Sequence, residues 1–267
     1  MLPDIPFSDD DARAIMAVAR PLVLSTGDEI HRLAASLRGQ TSKGGVDVVT
    51  EADGLSERLL ADGLSAAFPD HRVAGEEGTR RGPADSPWTW HIDPLDGTAN
   101  FSRGLPYWMV SVGLAWKDTP VLGILHGPAC GLTLWGGHGI GVFHDDRALP
   151  LATPPPPPNQ TIVAADWPWK LEERRRTNRL LDHLAGTIRQ YKTYGSAAVD
   201  LAHVALGRVD AYCISHIFPW DQCGGAALCA ALGHDLRRWD GSPWDLRHPD
   251  IVVCRPGLWP LLAPGLT

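Results

Sequence analysis

Five consecutive prolines occupy positions 154–158 and constrain the fold more than any other feature of the sequence. Proline has no backbone N–H group and a fixed φ angle, so this run excludes a helix interior and a central strand. A stiff polyproline II connector is the expected structure. We therefore predict an N-terminal half at 1–153, a connector at 154–158 and a C-terminal half at 159–267.

The N-terminal half opens with two helical patterns. Apolar residues recur at helical spacing over 8–37, and Ser8 with Asp11 forms an N-cap pattern. Pro21 is expected to kink this helix or to split it in two. A second helix is predicted to start near Thr50, where the sequence TEAD resembles a capping box.

Short β-prone segments follow the two helices and are separated by glycine, proline or aspartate, which predicts a largely antiparallel sheet between about 72 and 143. The predicted strands there include 88–92, 109–116, 121–126 and 132–135. Beyond the connector, predicted strands at 161–165, 188–191, 209–214 and 250–254 alternate with predicted helices at 171–185, 196–206 and 221–232. This alternation is typical of an α/β layer, so the expected fold class is mixed α+β and α/β.

Composition and charge limit the classes of partner. Hydrophobic residues make up 44% of the chain, enough for a sizeable core, and the formal net charge is -7. An acidic surface repels nucleic-acid phosphates, so no nucleic-acid partner is expected. No apolar run approaches the roughly 18 residues of a membrane span. The N-terminal segment also lacks the apolar region of a signal peptide, and a cytoplasmic location is expected.

The cysteines and histidines do not form a recognisable zinc or disulfide pattern. The five cysteines include no CxxC pair, which argues against a disulfide framework and a structural zinc site, so we expect reduced and mostly buried thiols. The eleven histidines show no HExxH spacing.

Three acidic segments stand out instead, at 75–78 (GEEG), 93–98 (DPLDGT) and 220–221 (WD). The second segment places Asp93, Asp96 and the Leu95 carbonyl around one bend, which is an all-oxygen set of the kind that Mg²⁺ prefers. Taken singly, the second segment is also a good turn sequence, the first is an ordinary charged loop, and an aspartate at a helix start is an ordinary N-cap. Their joint occurrence favours a shared metal site.

Five segments together resemble the signatures of the inositol monophosphatase family. They are 47–53 (DVVTEAD), 75–77 (GEE), 93–101 (DPLDGTANF), 195–200 (GSAAVD) and 220–221 (WD). The resemblance runs from about residue 10 to the C-terminus. It implies a five-layer αβαβα sandwich, a phosphomonoesterase activity and two or three Mg²⁺ ions held between the two halves. It also implies lithium sensitivity and a homodimer.

The resemblance also implies roles for individual residues. Glu76, Asp93 and the Leu95 carbonyl would hold a first metal, and Glu76 would help to hold a weaker third ion through water. The implied ligands of the second metal are Asp93, Asp96 and Asp221. The implied catalytic residues, which orient and deprotonate an attacking water, are Asp53, Thr98 and Glu77. The implied phosphate- and substrate-binding residues are Gly97, Thr98, Gly195, Ser196 and Ala197.

The substrate does not follow from the resemblance. Inositol-hydrolysing members of the family carry a glutamate seven residues before the position of Asp221, and this chain has Ile214 there. Isoleucine cannot bind the hydroxyl groups of a polyol. Nearby His216, or a tryptophan of 167–169 (WPW), could shape a different pocket, although tryptophan is more often a packing residue.

The substrate candidates are histidinol phosphate, sugar phosphates, nucleotide 3′-phosphates and inositol phosphates. A non-catalytic partner protein on the same fold is the alternative from another functional class. The presence of every expected metal carboxylate argues against it.

Overall fold

The computed structural model describes residues 5–37 and 45–266, which form two sheets and three helical layers. The helices are α1 (Asp9–Leu37), α2 (Gly45–Ala67), α3 (Thr98–Ser102), α4 (Leu171–Leu184), α5 (Ala197–Ala205), α6 (Pro219–Ala231) and α7 (Trp259–Leu262). The strands before the proline run are β1 (Arg72–Gly75), β2 (Arg80–Arg81), β3 (Trp88–Asp96), β4 (Met109–Trp116), β5 (Thr119–Gly127), β6 (Leu132–Gly137), β7 (Gly141–His144) and β8 (Arg147–Ala148). The strands after it are β9 (Ile162–Ala165), β10 (Gln190–Lys192), β11 (Ala211–Ile214), β12 (Asp235–Arg237) and β13 (Ile251–Cys254).

The first sheet has the strand order β2-β1-β3-β4-β5-β6-β7-β8. Every neighbouring pair is antiparallel except β1 and β3, which confirms the predicted largely antiparallel sheet. Strands β4 and β5 are buried on both faces because helices cover both sides. Helices α1 and α2 pack on one face through a core that includes Met16, Leu60, Trp90 and Ile124.

Helices α5 and α6 form the middle layer, and glycines allow α6 to approach the first sheet closely. Gly113 of β4 and Gly123 of β5 are register partners, so they lie side by side. A Cβ atom on Gly123 would lie 2.1 Å from the Gly224 carbonyl oxygen, and one on Gly113 would lie 2.5 Å from the Gly224 nitrogen. Helix α6 therefore rests directly on the backbone of two strands, which brings its first turn close to the end of β3.

The second sheet has the order β10-β9-β11-β13-β12 and mixes parallel and antiparallel pairs. One face packs on α5 and α6, and the other is covered by α4 and α7 through Leu180, Leu184 and Leu262. The layers therefore follow the order αβαβα, as expected.

Several element boundaries differ from the prediction. Ser8 caps α1 through a reciprocal pair of hydrogen bonds with Asp11. Of the two outcomes predicted at Pro21, a split is wrong because Pro21 lies within one continuous helix, and a kink stays a prediction. Helix α2 begins at Gly45, so the predicted start near Thr50 was also wrong, and the Thr50 side chain lies outside the described residues. The short strands β12 and β8 were not predicted, and β10 lies about two residues later than expected.

The proline run carries no helix or strand until a short 3₁₀ turn at Pro158–Gln160. Pro157 has φ −53° and ψ 150°, which is the polyproline II region. The largest apolar cluster nevertheless joins residues from both sides of the run, including Met109 and Leu125 with Tyr212 and Val253. The division into two halves stays a prediction.

Two further expectations concern the cysteines and membrane spans. All five cysteines are free, and four of them are buried, which confirms the prediction of reduced thiols. Within the described ranges, no helix is long and apolar enough to cross a membrane.

Candidate active site

Three carboxylates from distant parts of the sequence meet at one point. Glu76 follows β1, Asp93 lies in β3 and Asp221 lies in the first turn of α6. One oxygen atom from each of the three lies within 4.8 Å of the others. Asp93 is buried, Asp221 is partly buried and Glu76 is exposed, so the group opens to solvent on one side.

An irregularity in β3 shapes the central part of this site. The strand continues to Asp96, beyond the predicted end at residue 92, with a register shift between Asp93 and Asp96. The bulge accommodates Pro94, which has no N–H group to donate. Asp93 Oδ1 accepts the N–H of Leu95 at 3.0 Å, and the Leu95 carbonyl accepts the Thr98 hydroxyl at 3.2 Å.

Asp96 lies beside the three carboxylates but is not one of them. Its Oδ2 atom accepts hydrogen bonds from the Ser196 hydroxyl at 2.8 Å and from the Ala198 N–H group. Burial and the nearby negative charge of Asp221 raise the pKa of Asp96 to about 8. Asp96 therefore joins the β3 end to the start of α5, and its role as a metal ligand stays a prediction.

Gly97 produces the sharp turn between β3 and α3. Its φ angle of 95° lies in the left-handed region, and a Cβ atom there would lie 2.7 Å from the Tyr107 carbonyl oxygen. Helix α3 starts at Thr98, directly after this turn. Asn100 holds this turn by donating hydrogen bonds to the carbonyl oxygens of Tyr107 and Tyr194, both at 2.7 Å.

Two residues of α2, which the sequence reasoning missed, fix both metal-ligand loops. The buried Glu57 accepts the N–H groups of Glu77 at 2.7 Å and Thr79 at 2.8 Å. Ser56 donates its hydroxyl to the Pro94 carbonyl at 2.9 Å. Together with Asp53 these residues form an i, i+3, i+4 polar stripe, which is the sequence signal that could have identified them.

Asp53 is placed near the same loops. It is buried, and its pKa is raised to about 7, first by burial and then by the charges of Glu77 and Glu76. Because α2 starts well before Thr50, Asp53 is not part of an N-terminal cap. The alternative explanation for Asp53, that it serves only in a capping box at the start of α2, is therefore excluded.

Burial and mutual repulsion raise the pKa values of the clustered acids. The pKa of Asp93 lies well above its usual range because the side chain is buried and faces Asp96 and Glu76. The pKa of Asp221 is raised to about 7, chiefly by burial. Such crowded carboxylates are stabilised by a cation, and an all-oxygen set suits Mg²⁺. The residues present therefore fit the predicted metal.

The acids Glu76, Asp93, Asp96 and Asp221 help to line a cavity of about 830 Å³, a size typical of small-ligand sites. The predicted substrate-binding residues Gly195, Ser196 and Ala197 line it, as do Gly97 and Thr98. Ser196 caps α5 by accepting the Val199 N–H at 3.2 Å.

Comparison with known proteins supplies the remaining observation. A family model described as the inositol monophosphatase family matches residues 11–266. The chain belongs to this family. Its members are metal-dependent phosphomonoesterases, and the chain is a phosphatase of this reaction class.

Relatives of the inositol monophosphatase family match nearly the full chain. An inositol-1-monophosphatase of Synechocystis sp. is 33% identical over 251 residues, covering 92% of this chain and 86% of the relative. One from Bacillus subtilis is 30% identical over 245 residues, covering 90% and 92%. The solved inositol monophosphatase of Anabaena is 26% identical with a TM-score of 0.83 and 96% coverage of both chains. These matches confirm the predicted family and fold class.

Proposed function

We propose that the chain hydrolyses a small phosphorylated metabolite with two or three Mg²⁺ ions and an attacking water. The observation that carries this proposal is the convergence of Glu76, Asp93 and Asp221, with Asp96 beside them. Glu76, Asp93 and the Leu95 carbonyl would hold one ion, and Asp93, Asp96 and Asp221 another. When bound, the ions supply Lewis-acid stabilisation of phosphate charge and lower the pKa of water.

Asp53, Thr98 and Glu77 orient and deprotonate the water in this proposal. The Thr98 hydroxyl donates to the Leu95 carbonyl, so its oxygen lone pairs remain to accept a hydrogen bond from the attacking water and to orient it. Asp53 takes up the proton, because a carboxylate with a pKa near 7 matches the task of a general base at neutral pH. Glu77 lies alongside and favours proton uptake through its negative charge.

The turn at Gly97 binds the phosphate in this proposal. The first N–H groups of a helix have no partner within the helix and attract anions. The N–H groups of Gly97 and Thr98 would hold phosphate oxygens, and most of the rate enhancement would come from positioning and electrostatics.

An assay of phosphate release tests this function. We expect the wild type to hydrolyse glycerol 2-phosphate with Mg²⁺ and to lose this activity in EDTA. Asp93→Asn keeps the shape of the buried side chain but removes its charge, so it should lower kcat/KM by at least about 100-fold. No activity in the wild type with any phosphomonoester would instead favour a non-catalytic partner protein.

Asp96 is tested with a pair of variants. Asp96→Asn keeps an oxygen to accept the hydrogen bonds from Ser196 and Ala198, whereas Ser196→Ala removes one donor and keeps the charge. If Asp96 binds metal, Asp96→Asn should be far more damaging than Ser196→Ala and should raise the Mg²⁺ concentration needed for half activity. Wild-type activity in Asp96→Asn would refute the assignment.

We also propose three properties that follow from the family. Lithium should inhibit at millimolar concentrations by competing with magnesium, the chain should form a homodimer, and its location should be cytoplasmic. Inhibition curves at two Mg²⁺ concentrations, sedimentation analysis and cell fractionation would test these properties separately. Insensitivity to lithium would refute the proposed competition between lithium and magnesium at the second metal site.

A further inference from the structure

Exposed aromatic side chains are concentrated in the lining of the active-site cavity. Among the described residues, four Trp, Tyr or Phe side chains are exposed, and three of them line this cavity. Those three are Trp167, Trp169 and Phe218, which are 58%, 87% and 46% exposed. Large apolar groups normally avoid solvent, so such a concentration around one cavity indicates a ligand that covers them.

Trp167 is held rigidly although it is exposed. Its Nε1 atom donates to Asn178 Oδ1 at 2.9 Å, and the Arg174 guanidinium lies 5.6 Å from the ring centroid. Arg174 also donates to the Pro168 carbonyl at 2.8 Å, which fixes the turn that carries both tryptophans. The ring is therefore oriented before any ligand binds, which reduces the entropic cost of binding.

Phe218 connects the exposed aromatic residues of the cavity lining to the metal-binding carboxylates. Its ring stacks on Trp220 at 5.2 Å between centroids and meets the His216 ring edge-on at 5.6 Å. The Phe218 N–H group donates to Asp221 Oδ2 at 3.1 Å. A group that stacks on Phe218 would therefore lie next to the phosphate bound at the carboxylates.

Two neighbouring side chains of the lining cannot form the hydrogen bonds that a polyol would need. Ile214 is 7% exposed, Ile217 is 5% exposed, and both line the cavity. Hydroxyl groups against these side chains would lose their hydrogen bonds to water without replacement. A flat ring, in contrast, gains contact with apolar and aromatic surfaces.

We infer that the alcohol part of the substrate carries a planar aromatic ring that stacks against Phe218 and Trp169, so that this enzyme prefers aromatic phosphomonoesters to polyol phosphates. This inference rests on the proposed function of the same site. It names Phe218 and Trp169 as specificity residues and Ile214 as the residue that disfavours a polyol.

A matched pair of substrates tests the inference. Benzyl phosphate and cyclohexylmethyl phosphate have alkoxide leaving groups of similar basicity and size but differ in ring planarity. Aromatic pairing beyond area burial corresponds to a preference of about 2- to 13-fold, so the wild-type kcat/KM should favour the benzyl ester by a factor in this range. The wild type should also hydrolyse benzyl phosphate faster than inositol 1-phosphate.

Three variants test which residues cause the preference for the aromatic ester. Phe218→Leu and Trp169→Leu keep apolar bulk but lose the ring, so the ratio of the two kcat/KM values should fall towards one while cyclohexylmethyl phosphate is still hydrolysed. Tyr107→Leu is the matched control, because Tyr107 is the exposed aromatic residue that does not line the cavity, and its ratio should equal that of the wild type.

The possible outcomes separate the inference from the proposed function. Equal hydrolysis of both esters by the wild type, or a ratio unchanged in both leucine variants, would overturn the inference and leave the phosphatase function intact. If the ratio is unchanged in Trp169→Leu and sedimentation shows that this variant no longer forms a dimer, the exposed aromatic residues would instead form an interface with a second copy of the chain. No Mg²⁺-dependent hydrolysis of any ester would overturn the proposed function and the inference with it.

Discussion

Replacing Asp221 with asparagine separates two effects of this side chain, namely metal binding and the cost of a buried negative charge. In the metal-free protein, the environment raises the pKa of Asp221 from 3.8 to about 7. Each pKa unit corresponds to about 1.4 kcal/mol, so ionised Asp221 destabilises the folded state by up to about 4 kcal/mol. Asparagine removes this cost and keeps an oxygen to accept the Phe218 N–H.

The sign of the pH dependence follows from the raised pKa. Between about pH 4 and pH 7 the folded protein binds more protons at Asp221 than the unfolded chain, so the free energy of unfolding falls as the pH rises through this window. The metal-free wild type should therefore be less stable at pH 8 than at pH 5. Asp221→Asn should show a smaller difference between the two pH values.

Thermal unfolding in EDTA and in Mg²⁺ measures both effects. In EDTA at pH 8, we expect Asp221→Asn to gain about 2–4 kcal/mol and to unfold about 5–10 °C above the wild type. Saturating Mg²⁺ should stabilise the wild type by about 2.7 kcal/mol at 100 times the dissociation constant, and the variant much less. Asp182→Asn, an exposed aspartate of α4, is the control and should change neither value. A lower unfolding temperature for Asp221→Asn than for the wild type in EDTA at pH 8 would refute this reasoning.

Three other predictions concern residues that support or perform the chemistry. Glu57→Gln places an NH₂ group against one of the two N–H donors that the carboxylate binds, so it should cost about 1.5–3 kcal/mol of stability and reduce kcat/KM. Glu51→Gln on the exposed side of α2 should do neither, and equal effects of the two variants would contradict the role of Glu57 in holding the loop at 77–79. Gly97→Ala combines a left-handed φ angle with a carbonyl oxygen 2.7 Å away, so denaturant unfolding should show a larger loss of stability than for Gly131→Ala, where a Cβ atom meets nothing within 4 Å. The kcat of the wild type should rise with pH with an apparent pKa no higher than about 7, because a bound cation can only lower the pKa of Asp53. Asp53→Asn should lower kcat by about 100-fold. An unaltered kcat and pH profile in that variant would exclude Asp53 as the base.

The parts of the fold that sequence reasoning predicted best are those with strong local signals. Helix α1 has a capping pair and a long apolar period, and its start was predicted to within one residue. The strands β4 and β5 were also predicted, because their segments are short, apolar and rich in β-branched residues. These signals are local, so they remain visible in a single sequence.

The errors occurred where tertiary packing outweighs a local preference. Pro21 lies inside α1 because its neighbours pack the helix on the first sheet, and this burial offsets one lost hydrogen bond. Pro94 is tolerated in β3 because a bulge accommodates it. Neither compensation can be seen in the residues themselves.

In the candidate site, too, residues with a local sequence signal were predicted and residues that act through distant contacts were missed. The acidic segments and the resemblance identified Glu76, Asp93 and Asp221, and the structure brings these side chains together. The roles of Ser56 and Glu57 were missed because both act on loops that are about 20 or more residues away in sequence. The polar stripe of Asp53, Ser56 and Glu57 marks a polar face of α2, but it does not show which distant loops this face binds.

The contact between α6 and the paired glycines of β4 and β5 has a consequence for how the site tolerates change. The distance from Asp221 to β3 depends on backbone atoms touching backbone atoms, and no side chain lies between them at Gly123 and Gly224. A single methyl group added at Gly113, Gly123 or Gly224 would push α6 away from the first sheet. Asp221 would then move away from β3 although no metal ligand had been altered.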